Sequence, residues 1–156
     1  FVLPEAVVDD KTAVLSGLDG RKMSKSYNNT IPLFCPEKKL RKLIMKIKTN
    51  SQPPEEPKDP QGCTLFEIYQ AFATGDETAA MRRRYAEGIA WGEMKQILFE
   101  YLNDHLAEAR RRYNELIQAP DEIEQILAAG ARKARAASAP FLQEIRTKIG
   151  VQAIGS

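Results

Sequence analysis

Cysteine and histidine are scarce in this sequence, which has two cysteines, Cys35 and Cys63, and a single histidine, His105. Without a Cys-x-x-Cys spacing or a histidine nearby, the two thiols predict neither a disulfide framework nor a zinc site, and a reducing cytoplasm suits them best. We expect no bound metal. His105 has no nucleophile or ligand at a useful spacing, which favours a structural or surface role over a catalytic one.

Long apolar runs and a strong net charge are also missing. No stretch approaches the roughly 20 apolar residues of a membrane span, and no signal peptide opens the chain. The 23 basic and 21 acidic residues give a formal net charge of +2, so attraction to a polyanion must come from local clusters. The chain starts at Phe1 in an apolar run without a start methionine, and we expect it to belong to a larger protein.

The spacing of apolar residues predicts a mainly helical protein from Pro36 onward. Residues 1–33 contain short apolar pieces broken by Gly, Asp, Ser and Asn, which predict strand ends and loops. Leu40, Leu43 and Ile44 recur at helical spacing and predict a helix that ends near Lys48. Four prolines in residues 49–62 exclude regular structure there and predict a stiff surface loop, which we call the proline loop.

Three further helices are expected before the last one. Thr64 is expected to cap a helix that ends near Gly75, and Asp76 a short helix that ends at Tyr85. A turn over residues 88–92 then leads into a long amphipathic helix. The expected apolar stripe of this long helix is Met94, Ile97, Leu98, Tyr101, Leu102, Leu106, Tyr113 and Leu116.

The last helix is expected to begin at Pro120 and to end at Gly150. Pro140 lies within it and is expected to kink or split it, because proline lacks the N–H that a helix needs. With the preceding helices it should form a helical bundle. Its expected inward-facing residues are Ile123, Ile126, Leu127, Phe141, Leu142, Ile145 and Ile149.

Residues 17–30, which we call the lysine loop, are the best candidate for chemistry. The loop is flanked by glycines, carries Lys22 and Lys25, and has hydroxyl groups between them. Two ammonium groups, serine hydroxyls and backbone amides are donors suited to phosphate oxygens. A solvated basic turn has the same composition, and the residues alone favour that simpler interpretation.

The residues on both sides of the lysine loop favour the phosphate-binding interpretation over the solvated turn. The pentapeptide Lys22-Met23-Ser24-Lys25-Ser26 is the KMSKS signature of class I aminoacyl-tRNA synthetases. Together with the segments around it, the chain resembles the tryptophanyl-tRNA synthetase family over essentially its whole length. The matching segments are Phe1-Val-Leu-Pro-Glu5, Gly17-Leu-Asp-Gly20, Tyr27-Asn-Asn-Thr-Ile-Pro-Leu-Phe34, residues 49–63 with Asp59-Pro60, Gly88, and Trp91-Gly-Glu-Met-Lys95.

The resemblance implies a ligase that activates tryptophan with ATP and Mg²⁺ and transfers it to tRNA(Trp). By motif match, Lys22 and Lys25 are the catalytic residues that meet the leaving pyrophosphate, and Met23, Ser24 and Ser26 complete the nucleotide-binding loop. No protein nucleophile is needed, because the carboxylate of the amino acid attacks the α-phosphorus. The family's HIGH-type motif and its indole pocket are missing, so the chain alone should be inactive and should hold no tight cofactor.

The helical part has a local excess of positive charge. Six basic residues lie between residues 38 and 48 beside one acid, Glu37, and this local excess of five positive charges is the strongest polyanion-binding pattern in the chain. Solvated helix faces carry such charges too. Because the family's helical domain contacts the tRNA anticodon, the resemblance favours Lys38, Arg41 and Lys42 as tRNA-binding residues, with Asp59 of the proline loop as a candidate for reading bases.

We therefore expect a mainly α fold in which a helical anticodon-binding domain follows the C-terminal edge of a Rossmann-type catalytic domain. Residues 1–34 would end the catalytic domain, residues 35–150 would form the helical domain, and residues 151–156 would be a tail. The resemblance implies a homodimer for the complete, cytoplasmic protein and no membrane partner. Two alternatives stay open: a tyrosyl-tRNA synthetase, and a helical RNA-binding module without ligase activity.

Overall fold

The computed structural model describes residues 2–8 and 14–151, and most of these residues are α-helical. The five α-helices are α1 (Glu37–Met45), α2 (Thr64–Phe72), α3 (Gly75–Glu87), α4 (Trp91–Ile117) and α5 (Pro120–Lys148). The mainly helical fold class is confirmed. The strand ends expected in residues 1–33 were wrong for the described part of that range, where the only β pairing is an isolated bridge between Ser16 and Lys22. A pair of strands with no further sheet partner is marginal in water.

Helix α1 ends at Met45 instead of Lys48, as two contacts explain. The Lys95 ammonium of α4 donates a hydrogen bond to the Met45 carbonyl at 3.1 Å and so satisfies one of the free carbonyls at the helix end. The Lys48 N–H donates to the Leu18 carbonyl at 3.1 Å, so it is not available to continue the helix. The lysine loop and the end of α1 are thereby joined through backbone.

The caps of α2 and α3 differ from the expectation. Cys63 occupies the N-cap position of α2 without a side-chain cap, and Thr64 is instead its first helical residue. Helix α3 is capped by Thr74, not by Asp76, through a capping box in which the Thr74 hydroxyl accepts from the Glu77 N–H and the Glu77 carboxylate accepts from the Thr74 N–H. The box satisfies two amides that the helix start leaves free.

The chain divides into two compact units, Phe1–Arg110 and Arg111–Ser156. Helices α1, α2 and α3 and the first part of α4 enclose one apolar core in the first unit. Partly buried Leu18 and Ile31 from the lysine loop and its continuation pack against the same core. The buried apolar residues are Cys35, Leu40, Ile44, Ile47, Leu65, Phe66, Ile68, Tyr69, Met81, Tyr85, Ile89, Met94, Leu98, Phe99 and Leu102.

The second unit contains α5, and the inward face expected for this helix was wrong. None of its described residues is buried, and Leu127, for example, is 66% exposed. The apolar spacing predicted a buried stripe, yet no described element of the chain covers it. Pro140 does not split the helix, because α5 continues from Pro120 to Lys148 with this residue inside it. The expected stripe of α4 also stops early, since Tyr113 is 42% exposed.

Candidate functional site

The lysine loop folds back on itself as a tight turn. The Gly17 N–H donates to the Arg21 carbonyl at 2.7 Å, and the Gly20 N–H donates to the Gly17 carbonyl at 3.0 Å. Gly20 has a φ of +82°, a conformation that glycine adopts without the steric cost of a side chain. The hydrogen bond from Lys48 to Leu18 fixes this turn to the end of α1. Residues 17–21 of the lysine loop are thus fixed to the end of α1.

The side chain of Asn29 closes the loop from the other end. Its Oδ1 accepts the Ser24 N–H at 2.8 Å. Its Nδ2 donates to Asp19 Oδ1 at 2.8 Å and to the carbonyls of Lys22 and Arg21 at 3.2 and 3.4 Å. Asn29 itself is only 2% exposed, although its partners reach the surface. One buried amide therefore joins both halves of the loop.

Gly17 makes room for this amide. A Cβ atom at Gly17 would lie 2.4 Å from Asn29 Cγ and 2.5 Å from Nδ2, closer than side-chain carbons approach any neighbour. The Leu18 N–H also donates to the Asn29 carbonyl at 3.0 Å, which holds the two segments together. Gly17 is therefore required here because of close approach.

The side chains of Lys22 and Lys25 are both exposed, and within the described residues neither ammonium group makes a hydrogen bond or an ion pair. Lys25 begins a 3₁₀ helix, Lys25–Tyr27, whose N-cap is Ser24. The Ser24 hydroxyl accepts the Ser26 N–H at 3.3 Å, and the Ser26 side chain is exposed. The structure thus places the predicted catalytic lysines and the two serines on one short surface segment, in which the ammonium groups are free and Ser24 is half-buried.

Asp19, the acidic residue of the loop, is already paired. Its carboxylate lies 2.6 Å from the Arg21 guanidinium, which also lies over the Tyr27 ring at 4.4 Å. The hydrogen bond from Asn29 and the contacts with Arg21 lower the pKa of Asp19 to about 2, so it is ionised at neutral pH. Because Arg21 balances this charge, the positive charge of Lys22 and Lys25 is left uncompensated within the loop.

Met23 is the one motif residue that turns toward the apolar interior. It lines a cavity of about 260 Å³ between the lysine loop and the helices. A methionine side chain adapts to an irregular apolar space at little cost. The other residues around this cavity are Leu15, Ile31, Pro32, Leu33, Leu40, Ile68, Phe72, Leu102 and Leu106.

The basic residues predicted to bind tRNA lie on α1. Lys38, Arg41 and Lys42 are exposed, and the Arg41 guanidinium lies over the ring of Phe99 at 5.4 Å. Arg41 is therefore held in place by a neighbouring helix, which lowers the ordering cost of a further contact. None of these three residues lines the same cavity as Asp59, so the structure does not gather all four candidates at one point.

Asp59 lines a separate cleft of about 460 Å³. Its carboxylate accepts the Gln61 N–H at 2.8 Å in a local turn and is otherwise exposed. Gly20 of the lysine loop, Lys48 and Trp91 also line this cleft. The cleft thus brings the proline loop beside the tip of the lysine loop.

Lys58, which no pattern in the sequence pointed to, organises the proline loop. The side chain is 4% exposed, and its ammonium donates to the carbonyls of Pro53, Glu56 and Pro54 at 2.7, 3.0 and 3.3 Å. The same ammonium lies over the Trp91 ring at 5.4 Å. All three of its donors are therefore used inside the protein.

Gly88 allows the proline loop to pack closely on the end of α3. Its φ is +94°, and a Cβ atom there would lie 2.8 Å from backbone atoms of Pro54 and Glu55. Trp91, three residues further on, donates its indole N–H to Asn50 Oδ1 at 2.9 Å. The proline loop thus packs on Gly88 and is joined at its start to Trp91 by the hydrogen bond to Asn50.

Other basic clusters are largely engaged in contacts within the protein. Arg82 lies over the Phe66 ring at 4.7 Å, and Arg84 pairs with Glu93. In the second unit, Arg112 pairs with Glu122. These contacts favour a structural role for the clusters around residues 82–84 and 110–112. Among the described residues, no group of three or more His, Cys, Asp or Glu side chains is placed to hold a metal ion.

The family model described as "tRNA synthetases class I (W and Y)" matches residues 1–107. The chain belongs to this family. The class I synthetase signature lies at Lys22-Met23-Ser24-Lys25-Ser26, on the exposed segment described above. The resemblance stated from the sequence is therefore confirmed.

Individual class I synthetases resemble the whole chain. It is 54% identical to the tryptophan–tRNA ligase of Pseudomonas aeruginosa over 154 residues, which are 99% of this chain and 34% of that protein. It is 51% identical to the tryptophan–tRNA ligase of Neisseria meningitidis over 97% of this chain and 45% of that protein. The chain thus spans less than half the length of these relatives.

A solved structure supports the same relationship. The tryptophanyl-tRNA synthetase of Campylobacter jejuni, crystallised with ADP and tryptophan, superposes with a TM-score of 0.77 at 43% identity, and the match covers 96% of this chain and 47% of that one. Within the described residues, no helix is long and apolar enough to cross a membrane.

Proposed function

We propose that this chain acts as part of a tryptophan–tRNA ligase and that its lysine loop stabilises the pyrophosphate leaving group of ATP. The observation that carries this proposal is the pair of exposed, unpaired ammonium groups of Lys22 and Lys25 on a loop whose backbone is fixed from within. Arg21 neutralises the acidic residue of the loop, so the two lysines keep their full attraction for phosphate.

The reaction explains why the chain needs no nucleophile of its own. The tryptophan carboxylate attacks the α-phosphorus of the ATP–Mg²⁺ substrate, the bond to the β-phosphate bridging oxygen breaks, and pyrophosphate leaves with the bonding electrons. Negative charge grows on the leaving group during this step, and ammonium groups that meet it lower the barrier. The hydroxyl groups of Ser24 and Ser26 would contribute further donors to the phosphates, whereas the Met23 N–H already donates to the Leu15 carbonyl at 2.9 Å.

The size of the effect follows from the hydrogen bonds involved. A hydrogen bond to a charged group contributes about 1.5–3 kcal/mol, so two lysines engaged in the transition state would contribute about 3–6 kcal/mol. That corresponds to roughly two to four decades in rate. Folding should depend little on either residue, because both side chains are exposed.

The helical part is proposed to bind tRNA(Trp). The exposed charges of Lys38, Arg41 and Lys42 on α1 suit the phosphate backbone. Asp59 sits on a loop stiffened by Lys58, where a polar group can meet a base at low ordering cost. Residues 1–34 would then end the catalytic domain, residues 35–150 would form the tRNA-binding domain and residues 151–156 a tail.

The complete protein is proposed to work in the cytoplasm as a homodimer. Its substrates would be ATP, tryptophan and tRNA(Trp), and this chain by itself would not catalyse adenylate formation. Tyrosine is a weaker candidate, since the relatives named above are tryptophan–tRNA ligases.

Lys25→Ala in the full-length protein tests the proposal. We expect ATP–pyrophosphate exchange with tryptophan to fall at least about tenfold, while the thermal unfolding midpoint stays unchanged. Lys39→Ala is the matched control, because it removes an exposed lysine from α1, away from the loop, and exchange does not require tRNA. Unaltered exchange in Lys25→Ala would reject the role of the loop.

The wild-type protein separates the alternative functions. Exchange with tyrosine but not with tryptophan would favour a tyrosyl-tRNA synthetase, and no exchange with either amino acid would favour an RNA-binding module.

A further inference from the structure

Asn29 is the residue through which the lysine loop is held, although its side chain is remote from solvent. We infer that Asn29 is a positioning residue for the proposed ligase reaction: its side-chain amide fixes the backbone of Lys22 and Ser24 so that the motif meets phosphate in one geometry. This inference rests on the proposed function and names a further residue for the same site.

The hydrogen bonds fix the orientation of the amide. Nδ2 faces three acceptors, namely the Asp19 carboxylate and the carbonyls of Lys22 and Arg21. Oδ1 faces a donor, the Ser24 N–H. Rotating the amide by half a turn would set an acceptor against three acceptors and a donor against a donor, so only one orientation satisfies the network. The amide therefore dictates where these backbone groups lie.

The bonded groups belong to the motif itself. Lys22 and Ser24 stand on either side of Met23, and each is tied to Asn29 through its backbone. No residue from 22 to 28 belongs to the apolar core or is packed against it as a partly buried hydrophobic residue. Met23 alone faces the interior, where it lines the apolar cavity and donates its N–H to the Leu15 carbonyl at 2.9 Å, and the Asn29 amide adds the bonds that fix Lys22 and Ser24 on either side of it.

A fixed backbone matters because the loop must act without reorganising. Donors that already point at the developing charge contribute to the rate, whereas donors that must first be ordered lose part of that contribution. A loop released from Asn29 would keep both ammonium groups but would present them in many arrangements. The expected loss is therefore in the rate of adenylate formation and not in tryptophan binding.

Asn29→Asp tests the contribution of the Nδ2 donor separately from that of the size of the side chain. The substitution preserves size and the acceptor for Ser24, but it replaces the Nδ2 donor with an acceptor that faces the Asp19 carboxylate and two carbonyls. Asn28→Asp is the matched control. It adds the same negative charge one residue away, on an exposed side chain in a left-handed backbone conformation (φ 50°) that aspartate tolerates.

The experiment uses the full-length protein and compares ATP–pyrophosphate exchange, tryptophan affinity and thermal unfolding for the wild type and both variants. For Asn29→Asp we expect kcat, counted per tryptophan-binding site, to fall at least about tenfold with an unchanged Kd for tryptophan. For Asn28→Asp, which adds the same charge to the loop without touching the Asn29 hydrogen bonds, we expect a clearly smaller loss of kcat than for Asn29→Asp.

Each outcome separates the possibilities. Equal kcat in the two variants would overturn the positioning role. A loss of tryptophan binding and of thermal stability in Asn29→Asp, with kcat per binding site preserved, would assign Asn29 to folding alone and would also overturn it. A wild-type protein that performs no exchange would reject the proposed function itself, whatever the variants do.

Discussion

Replacing Lys58 with methionine should destabilise the first unit strongly, although a lysine in a proline-rich loop looks dispensable. The ammonium donates to the carbonyls of Pro53, Pro54 and Glu56 and lies over the Trp91 ring. Methionine has a similar length and apolar stem, so Lys58→Met keeps most of the packing and removes the donors and the charge.

The magnitude can be worked from these contacts. Hydrogen bonds to charged groups contribute about 1.5–3 kcal/mol each, so three of them give a gross sum of about 4.5–9 kcal/mol. Against this, burying an ammonium costs several kcal/mol, which the methionine variant does not incur. Water can also reach the carbonyls, since Pro53, Pro54 and Glu56 are exposed residues. The net loss expected is about 2–4 kcal/mol in the free energy of unfolding.

Urea unfolding followed by the fluorescence of Trp91 is the appropriate assay, because Trp91 is the one tryptophan in the chain and contacts the Lys58 ammonium. Lys39→Met is the control, as it makes the same chemical change on an exposed face of α1 and should stay within about 0.5 kcal/mol of the wild type. A loss for Lys58→Met no larger than that of the control would refute the reasoning. It would mean that the three carbonyls are satisfied equally well by water.

Two other predictions concern tRNA binding and backbone packing. The triple variant Lys38→Ala, Arg41→Ala, Lys42→Ala should weaken binding of tRNA(Trp) to the full-length protein. The slope of log Kd against the logarithm of the salt concentration should fall by about 2–3, as measured by fluorescence titration at two salt concentrations. An unchanged slope would show that α1 does not contact the tRNA. Gly88→Ala should lower the free energy of unfolding by about 2–4 kcal/mol, because a positive φ is combined with a clash against the backbone of the proline loop. Gly75→Ala is the control, since it adds a Cβ atom at an open position of α3 and should not destabilise the protein. Equal unfolding midpoints for the two variants would contradict this account.

Local patterns predicted the helices well where the apolar spacing was regular. The positions of α1, α2 and α4 follow from apolar residues at helical spacing, and proline content alone placed the proline loop. The spacing of Thr74 and Glu77 is that of a capping box and is sufficient to predict the cap of α3, so the expectation of a cap at Asp76 was wrong for a local reason. The candidate site was found through the KMSKS match, whereas composition alone favoured a solvated turn.

The remaining features depend on contacts between distant parts of the chain. Lys58 lies between Pro57 and Asp59, which is typical of a solvated position. It is buried only because Trp91 and the carbonyls of the proline loop pack around it. Asn29 was recognised as part of a matching segment, but its hydrogen bonds depend on how the loop closes. The apolar stripe of α5 predicted burial, and spacing cannot reveal whether another element covers a stripe.

The close contact between Gly17 and Asn29 makes the two positions a single unit for sequence change. A side chain at position 17 needs the space that the amide occupies, so it requires a smaller residue at position 29. A smaller residue at position 29, however, removes the donor and the acceptor that order the loop. Neither position can therefore change first without loss, and a new pair would have to arise together with a different way of closing the loop.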